Sequence, residues 1–229
     1  MLASMGRHVA WILLAALAVA GCGGGSSSNG EAKKPAAQVV ADAKKAAVAA
    51  SSVHVTGAGS DNGQPLKLDL TIGRSGAKGH IVESGASFDL VRVGDTVYVK
   101  GDDAFLKKFA GAAAATLFHD RWLKGSINDA QLGALAPLTD LGQFFGGVLD
   151  QHGVLTNKGE TTRHGAKVVE IRDSTQGGSL FVAATGDPYP VALAGGGQQG
   201  DVEFADWNVD AEIAAPKNAV DLRALGKRG

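Results

Sequence analysis

An internal disulfide is impossible within these 229 residues, because Cys22 is the only cysteine. Folding must lean on an apolar core and not on covalent staples. Neither sign of charge is in excess: 22 Lys and Arg face 23 Asp and Glu, for a formal net charge of −1. There is no basic stripe for nucleic acid and no acidic tail. Aromatics are few, at 6%. No H-E-x-x-H, no G-x-S-x-G elbow and no His/Cys grouping at zinc spacing occurs, so these signatures of catalysis and metal binding are missing. His54, His80, His119, His152 and His164 are scattered and read as surface or turn residues. The run from Gly195 to Gly200 matches G-x-G-x-x-G. A dinucleotide site would need a helix next, and Asp201-Val202-Glu203-Phe204 alternates like a strand. Asp102-Asp103 reads as a helix cap, and Trp122 and Trp207 as rim or core aromatics.

Long apolar runs are also missing, with one short exception at the start. Arg7 precedes the apolar stretch from Val9 to Val19, which is too short for a mature span of about 20 residues. Val19-Ala20-Gly21-Cys22 follows and resembles a bacterial lipobox. That signal implies cleavage before Cys22 and acylation of its thiol. The competing reading is an ordinary secretory leader with a chance cysteine. Residues 1–21 are then the signal peptide, and residues 22–34 a lipidated cysteine with a flexible tether, GGGSSSNGE at its core. Two long acyl chains anchor stably, at about 0.8 kcal/mol per buried methylene, whereas one does not.

The remainder is periodic. Pro35 to Ala50 carries Val39, Val40, Ala43 and Ala47 near one face and reads as a helix. Strands are expected at Val53–Gly57, Leu66–Ile72, His80–Glu83, Phe88–Val93 and Thr96–Lys100. In the second of these Leu66, Leu68, Leu70 and Ile72 share one face. From Asp102 to Leu149 the period becomes helical, with Trp122-Leu123-Lys124 as a short extended bridge and Pro137 dividing the second half. Strands return at Gly153–Thr161, Ala166–Asp173, Ser179–Ala184, Pro190–Ala194 and Gly200–Trp207, with Val209–Ile213 as a final edge segment. The expected fold class is α+β: a large curved antiparallel sheet, a half-barrel, with helices covering its concave face. The domain is expected over residues 35–216, and residues 217–229 as a C-terminal tail.

Several of these segments together resemble the LppX/LprG/LprA/LprF family of actinobacterial lipoproteins, which share a half-barrel with the LolA and LolB carriers. They are the lipobox, Val93-Gly94-Asp95-Thr96-Val97-Tyr98-Val99, Trp122-Leu123-Lys124-Gly125, Asp187-Pro188-Tyr189-Pro190-Val191, and Phe204-Ala205-Asp206-Trp207 followed by Ala215-Pro216. The resemblance implies a lipid carrier on the outer face of the cytoplasmic membrane, anchored through Cys22. Its cavity would take the acyl chains of a lipid or glycolipid, with a membrane lipid exporter as a further partner. It implies no cofactor, no catalytic residue and a monomer.

The residues expected to line such a cavity are Leu66, Leu68, Leu70, Ile72, Val97, Val99, Val169, Ile171, Leu180, Val182, Val191, Leu193, Val202 and Phe204. Leu141, Phe144 and Phe145 are expected as lids. The same residues would equally close an ordinary filled core. Two other readings stand beside the carrier. One is an envelope interaction or sensor module with a closed core and an exposed apolar patch. The other is an enzyme, which would need polar groups converging in a pocket.

Overall fold

Period-two alternation sets the sheet, and the glycine-rich turns between the alternating runs set its order. The computed structural model describes residues 27–61, 63–195 and 200–225. The leader, Cys22 and Gly196–Gln199 of the glycine-rich run lie outside the described residues. After a 3-10 turn at Glu31–Lys33 comes α1 (Ala36–Ala49), then β1 (Ser52–Asp61), β2 (Gln64–Gly73), β3 (Gly76–Glu83), β4 (Ala86–Val93) and β5 (Thr96–Gly101). An insert follows with α2 (Asp103–Ala110), α3 (Ala112–Phe118), β6 (Leu123–Ser126), α4 (Ala130–Gly133), a 3-10 turn at Ala136–Leu138, and α5 (Leu141–Leu149). The second half holds β7 (Leu155–Arg163), β8 (Ala166–Asp173), β9 (Ser179–Ala183), β10 (Pro190–Ala194), β11 (Asp201–Ala205), β12 (Val220–Asp221) and α6 (Leu222–Leu225).

All twelve strands join one sheet, in the order β12-β6-β5-β4-β3-β2-β1-β11-β10-β9-β8-β7. The sheet is curved and does not close. β1 and β11 pair with His54 opposite Ala205 and Ala58 opposite Asp201, so the two halves of the chain meet at the centre. Every pairing is antiparallel except β12 with β6, where Val220 lies beside Leu123. The sheet is thus mixed, by one short edge strand that falls in the segment expected as tail.

Val209–Ile213 is not a strand, contrary to expectation. The chain leaves β11 next to β1, which is already paired with both β11 and β2. No free edge is within reach there. The segment is instead held by Ser52 Oγ donating to Val209 O and by Lys78 Nζ donating to Glu212 O, at 2.5 and 2.8 Å.

The insert obeys its capping chemistry. Asp102 caps α2, its Oδ1 accepting from Phe105 N–H at 2.7 Å, and its Oδ2 also accepts from Ser87 N and Oγ. Partial burial works against ionisation of Asp102, but these hydrogen bonds from Phe105 and Ser87 prevail and hold its carboxyl below the usual range. Gly111, at φ +87°, separates α2 from α3 within the Ala-rich start of the stretch expected to be helical. Asp140 caps α5 through Gln143 N–H at 2.9 Å.

Helices α1 and α5 pack against each other across the concave face. Val39, Val40, Ala43 and Ala47 of α1 are buried, as are Leu141, Phe144, Phe145 and Leu149 of α5. Lys44 ties the two helices together through Asp150 at 2.6 Å. Leu106 of α2 covers the flank formed by β4 and β5.

The segment before α1 is docked, although its Ser/Gly/Asn composition reads as a tether. Ser28 bridges Thr185, and Glu31 is only 2% exposed. Lys34 Nζ lies 2.7 Å from both Glu31 and Asp42. Hydrogen bonding to Asp42, then to Glu31, raises the Lys34 pKa. Asn157 of β7 donates to Glu31 O and Lys34 O, so this segment also covers part of the free β7 edge.

Candidate functional site: an apolar cavity open at one end

Burial along each concave-face strand changes from one end to the other. On β2, Leu70 and Ile72 are fully buried, whereas Leu66 and Leu68 are half-buried. On β1, Val53 and Val55 are buried, and the next positions on that face are Gly57 and Gly59. On β11, Phe204 is buried and Val202 is half-buried. One end of the concave face is therefore a packed core. At the other end the side chains shorten and the space is not filled.

That space is a cavity of about 530 Å³ between α5 and strands β1, β2 and β8–β11, within the range of about 300–1,000 Å³ typical of ligand pockets. Its apolar walls include Leu66, Leu68, Ile171, Leu180, Leu193 and Val202 from the sheet, Val40 from α1, and Leu138, Phe144 and Leu149 from the α5 side. Leu193 stands between Leu180 on β9 and Val202 on β11 in the strand register. Gly57 lies opposite Val202, and a Cβ there would stand 3.0 Å from Val202 Cγ2. Glycine at that point keeps the wall thin.

Polar groups gather at the open end. Gln151, His152, Asp173, Gln176 and Ser179 line the cavity there, beside the β8–β9 turn. Asp173 organises this rim. Its Oδ2 accepts from Gly153 N–H at 2.8 Å, and its Oδ1 accepts from Thr175 and Gln176 N–H at 2.8 and 2.9 Å. Those bonds, Gly153 first, hold its carboxyl below the usual range. Asp173 thereby ties the link after α5 to the β8–β9 turn across one side of the mouth.

The side chains expected at a cavity divide into three groups. Leu66, Leu68, Phe144, Ile171, Leu180, Leu193 and Val202 line the void. Leu70, Ile72, Val97, Val99, Leu141, Phe145, Val169, Val182 and Phe204 instead belong to the packed core. Val97 and Val99 lie on the far flank, in the same core cluster as Leu106, Leu123 and Leu132, so helices cover that part of the face. Phe145 sits in an aromatic stack with Phe204 and Trp207, at centroid distances of 5.3 and 5.5 Å. Trp207 continues onto Tyr189 at 4.5 Å and donates to Pro190 O. Val191 falls where the β9–β10 register shifts between Pro190 and Ala192, and it does not line the cavity.

Sequence reasoning missed Val40, Leu138, Leu149, Leu155 and the glycines of β1 as walls, and the whole polar rim. The β1 glycines carried a signal: Val53, Val55, Gly57 and Gly59 are a period-two run that changes from large to absent side chains. Among the described residues no group of three His, Cys, Asp or Glu side chains is placed to hold a metal ion. The histidines on the outer face of the sheet pair with carboxylates, His54 with Asp69 and His80 with Asp89, both at 2.8 Å. Gly200 leads directly into β11, a strand and not a phosphate-binding helix. Among the described residues no helix is long and apolar enough to cross a membrane.

No protein-family model matches the chain, and no curated protein matches it in sequence. Solved structures do match. LprF from Mycobacterium bovis aligns over 84% of this chain and 99% of its own, with 15% identity and a TM-score of 0.54. An uncharacterized conserved protein from Thermus thermophilus aligns over 82% and 98%, at 13% identity and a TM-score of 0.42. MucB aligns over 78% and 60%, at 17% identity and a TM-score of 0.37. The fold of this chain is an α+β half-barrel like that of LprF.

Proposed function

We propose that this chain is a lipoprotein of the cell envelope, anchored through acylated Cys22, that takes the acyl chains of a lipid or glycolipid into its cavity and carries them through the aqueous layer. The observation that carries the reading is the unfilled apolar space of about 530 Å³ with its polar groups confined to one end. An amphiphile fits that arrangement, with chains inward against Leu68, Phe144 and Leu193 and a polar head at Gln151 and Gln176. The driving force is sufficient. Ten methylenes removed from water supply about 8 kcal/mol, which corresponds to roughly micromolar affinity.

Two observations favour this over an interaction module with a closed core. The core is open at one end, and the exposed large apolar residues (Val48, Leu117, Val148, Val154 and Val209) come from separate elements. Catalysis has no support in the cavity, whose polar groups lie at the rim and not around a reacting position. Native mass spectrometry of the full chain extracted from its own envelope, followed by organic extraction, tests the proposal. A co-purifying acyl lipid that disappears when Leu193 becomes Trp is expected. A bare protein mass, together with no uptake of a fluorescent fatty acid, would sink it.

A further inference from the structure

The cavity mouth and the point where the N-terminal segment meets the sheet lie at opposite ends of β9. At one end, Ser28 bridges Thr185, and Asn29 N–H donates to Ala184 O at 2.9 Å. Asn29 Nδ2 donates further to Ala183 O and Gly186 O, at 2.8 and 3.1 Å. At the other end, Gln176 to Ser179 form part of the mouth. Six residue steps separate Ser179 from Thr185, about 20 Å at about 3.3 Å per residue. Cys22 precedes Ser28 by six residues, a reach of at most about 22 Å.

We propose that the docked segment at Ser28 and Asn29 makes Cys22 a short leash at the mouth-distal end, so that the cavity opens away from the membrane that holds the anchor. The proposal rests on the anchored-lipoprotein reading above. Its consequence is that cargo leaves or enters toward an acceptor on the aqueous side, and not by direct contact of the mouth with the anchoring leaflet. Turning the mouth onto that leaflet would require the domain to invert about Ser28. The leash would then have to run at its full length alongside the domain merely to bring Gln176 level with the surface. If the docked segment were free up to Pro35, thirteen residues from Cys22, the reach would grow to about 47 Å and inversion would be unhindered.

The test uses the full acylated chain in phosphatidylcholine vesicles that carry a headgroup nitroxide, a quencher that acts only at contact range. A fluorophore is placed at Gln176→Cys at the mouth or at Asp187→Cys beside the docking point, both of which are exposed. The Asp187→Cys probe is expected to lose intensity and the Gln176→Cys probe to keep it. Inserting twelve Gly/Ser residues between Ser27 and Ser28 lengthens the leash without touching the docked segment, and is expected to let both probes be quenched. Equal quenching of the two probes at the native length would overturn the orientation while leaving the anchor standing. Protein that neither floats with the vesicles nor carries an acyl mass would remove the anchor, and the orientation with it.

Discussion

Replacing Leu193 by Trp separates a binding cavity from a merely loose core. Leu193 is half-buried on the cavity wall, between Leu180 and Val202. The indole puts ten side-chain heavy atoms where leucine has four, so about six methylene-sized positions in the void are taken. At about 0.8 kcal/mol each, a bound acyl chain loses up to about 5 kcal/mol, more than a thousandfold in affinity. Folding stability changes little, because the added ring enters space that is already empty. The contrasting variant is Leu90→Ala. Leu90 is fully buried on β4, away from the cavity, and its truncation costs about 2–5 kcal/mol of stability. Titration with a fluorescent fatty acid, at a temperature where both variants are folded, is the assay. Leu193→Trp is expected to lose binding at wild-type Tm, and Leu90→Ala to keep binding at lowered Tm. Wild-type affinity in the Leu193→Trp protein would refute the assignment of this void as the lipid site.

Three further outcomes follow from the rim, the insert and the sheet. The Asp173 carboxyl is depressed by its backbone hydrogen bonds, Gly153 first, so its tie across the mouth is complete above the ordinary value of about 3.9 and is lost as pH falls through the lower folded value. Amide exchange at Gly153, Thr175 and Gln176, once corrected for intrinsic rates, should stay flat from neutral pH down to the ordinary carboxylate value and rise only below it. Asp173→Ala removes both acceptor oxygens and should show fast exchange at every pH, and slow exchange in that variant would show that other groups hold the rim. Asp102→Ala removes the cap of α2 and the Ser87 acceptor. It should cost about 1 kcal/mol, seen as a fall in Tm of about 2–4 °C, and an unchanged Tm would contradict the role given to the cap. Gly79→Ala would place a Cβ 2.2 Å from Asp69 O and 2.5 Å from Leu70 Cδ2. β2 and β3 must then separate, at a cost of about 1–3 kcal/mol, measurable by urea unfolding. Wild-type stability there would show that the sheet relaxes more freely than its packing implies.

What could be read in the sequence was the direction each side chain faces. Leu66, Leu68, Leu70 and Ile72 do share one face, and Asp69 and Thr71 do face the other way. Alternation says nothing about what lies across from a face, and that is what separates Leu68 from Leu70. Leu70 meets a filled core, whereas Leu68 borders a void. Position along the strand decides this, because the core-filling aromatics Phe145, Phe204 and Trp207 stack together at one end only. At the other end β1 presents glycines. The polar rim was illegible for a related reason. Gln151 belongs to the link after α5, whereas Asp173 and Gln176 belong to the β8–β9 turn, and only the pairing of β7 with β8 and β8 with β9 brings the two together. The docked segment at Ser28 to Lys34 hid behind its composition. Glycine and serine read as a linker, but the Asn29 side chain on two carbonyls, Asn29 N–H on Ala184 O and Asn157 on Glu31 O and Lys34 O together hold it. Composition reports what a segment cannot bury, and it is silent about the backbone edges a segment can find. In this fold the carbonyls at the C-terminal end of β9 and the exposed edge of β7 were those edges. The length of chain between Cys22 and the sheet is therefore set by tertiary hydrogen bonds, not by where the glycine-rich run stops.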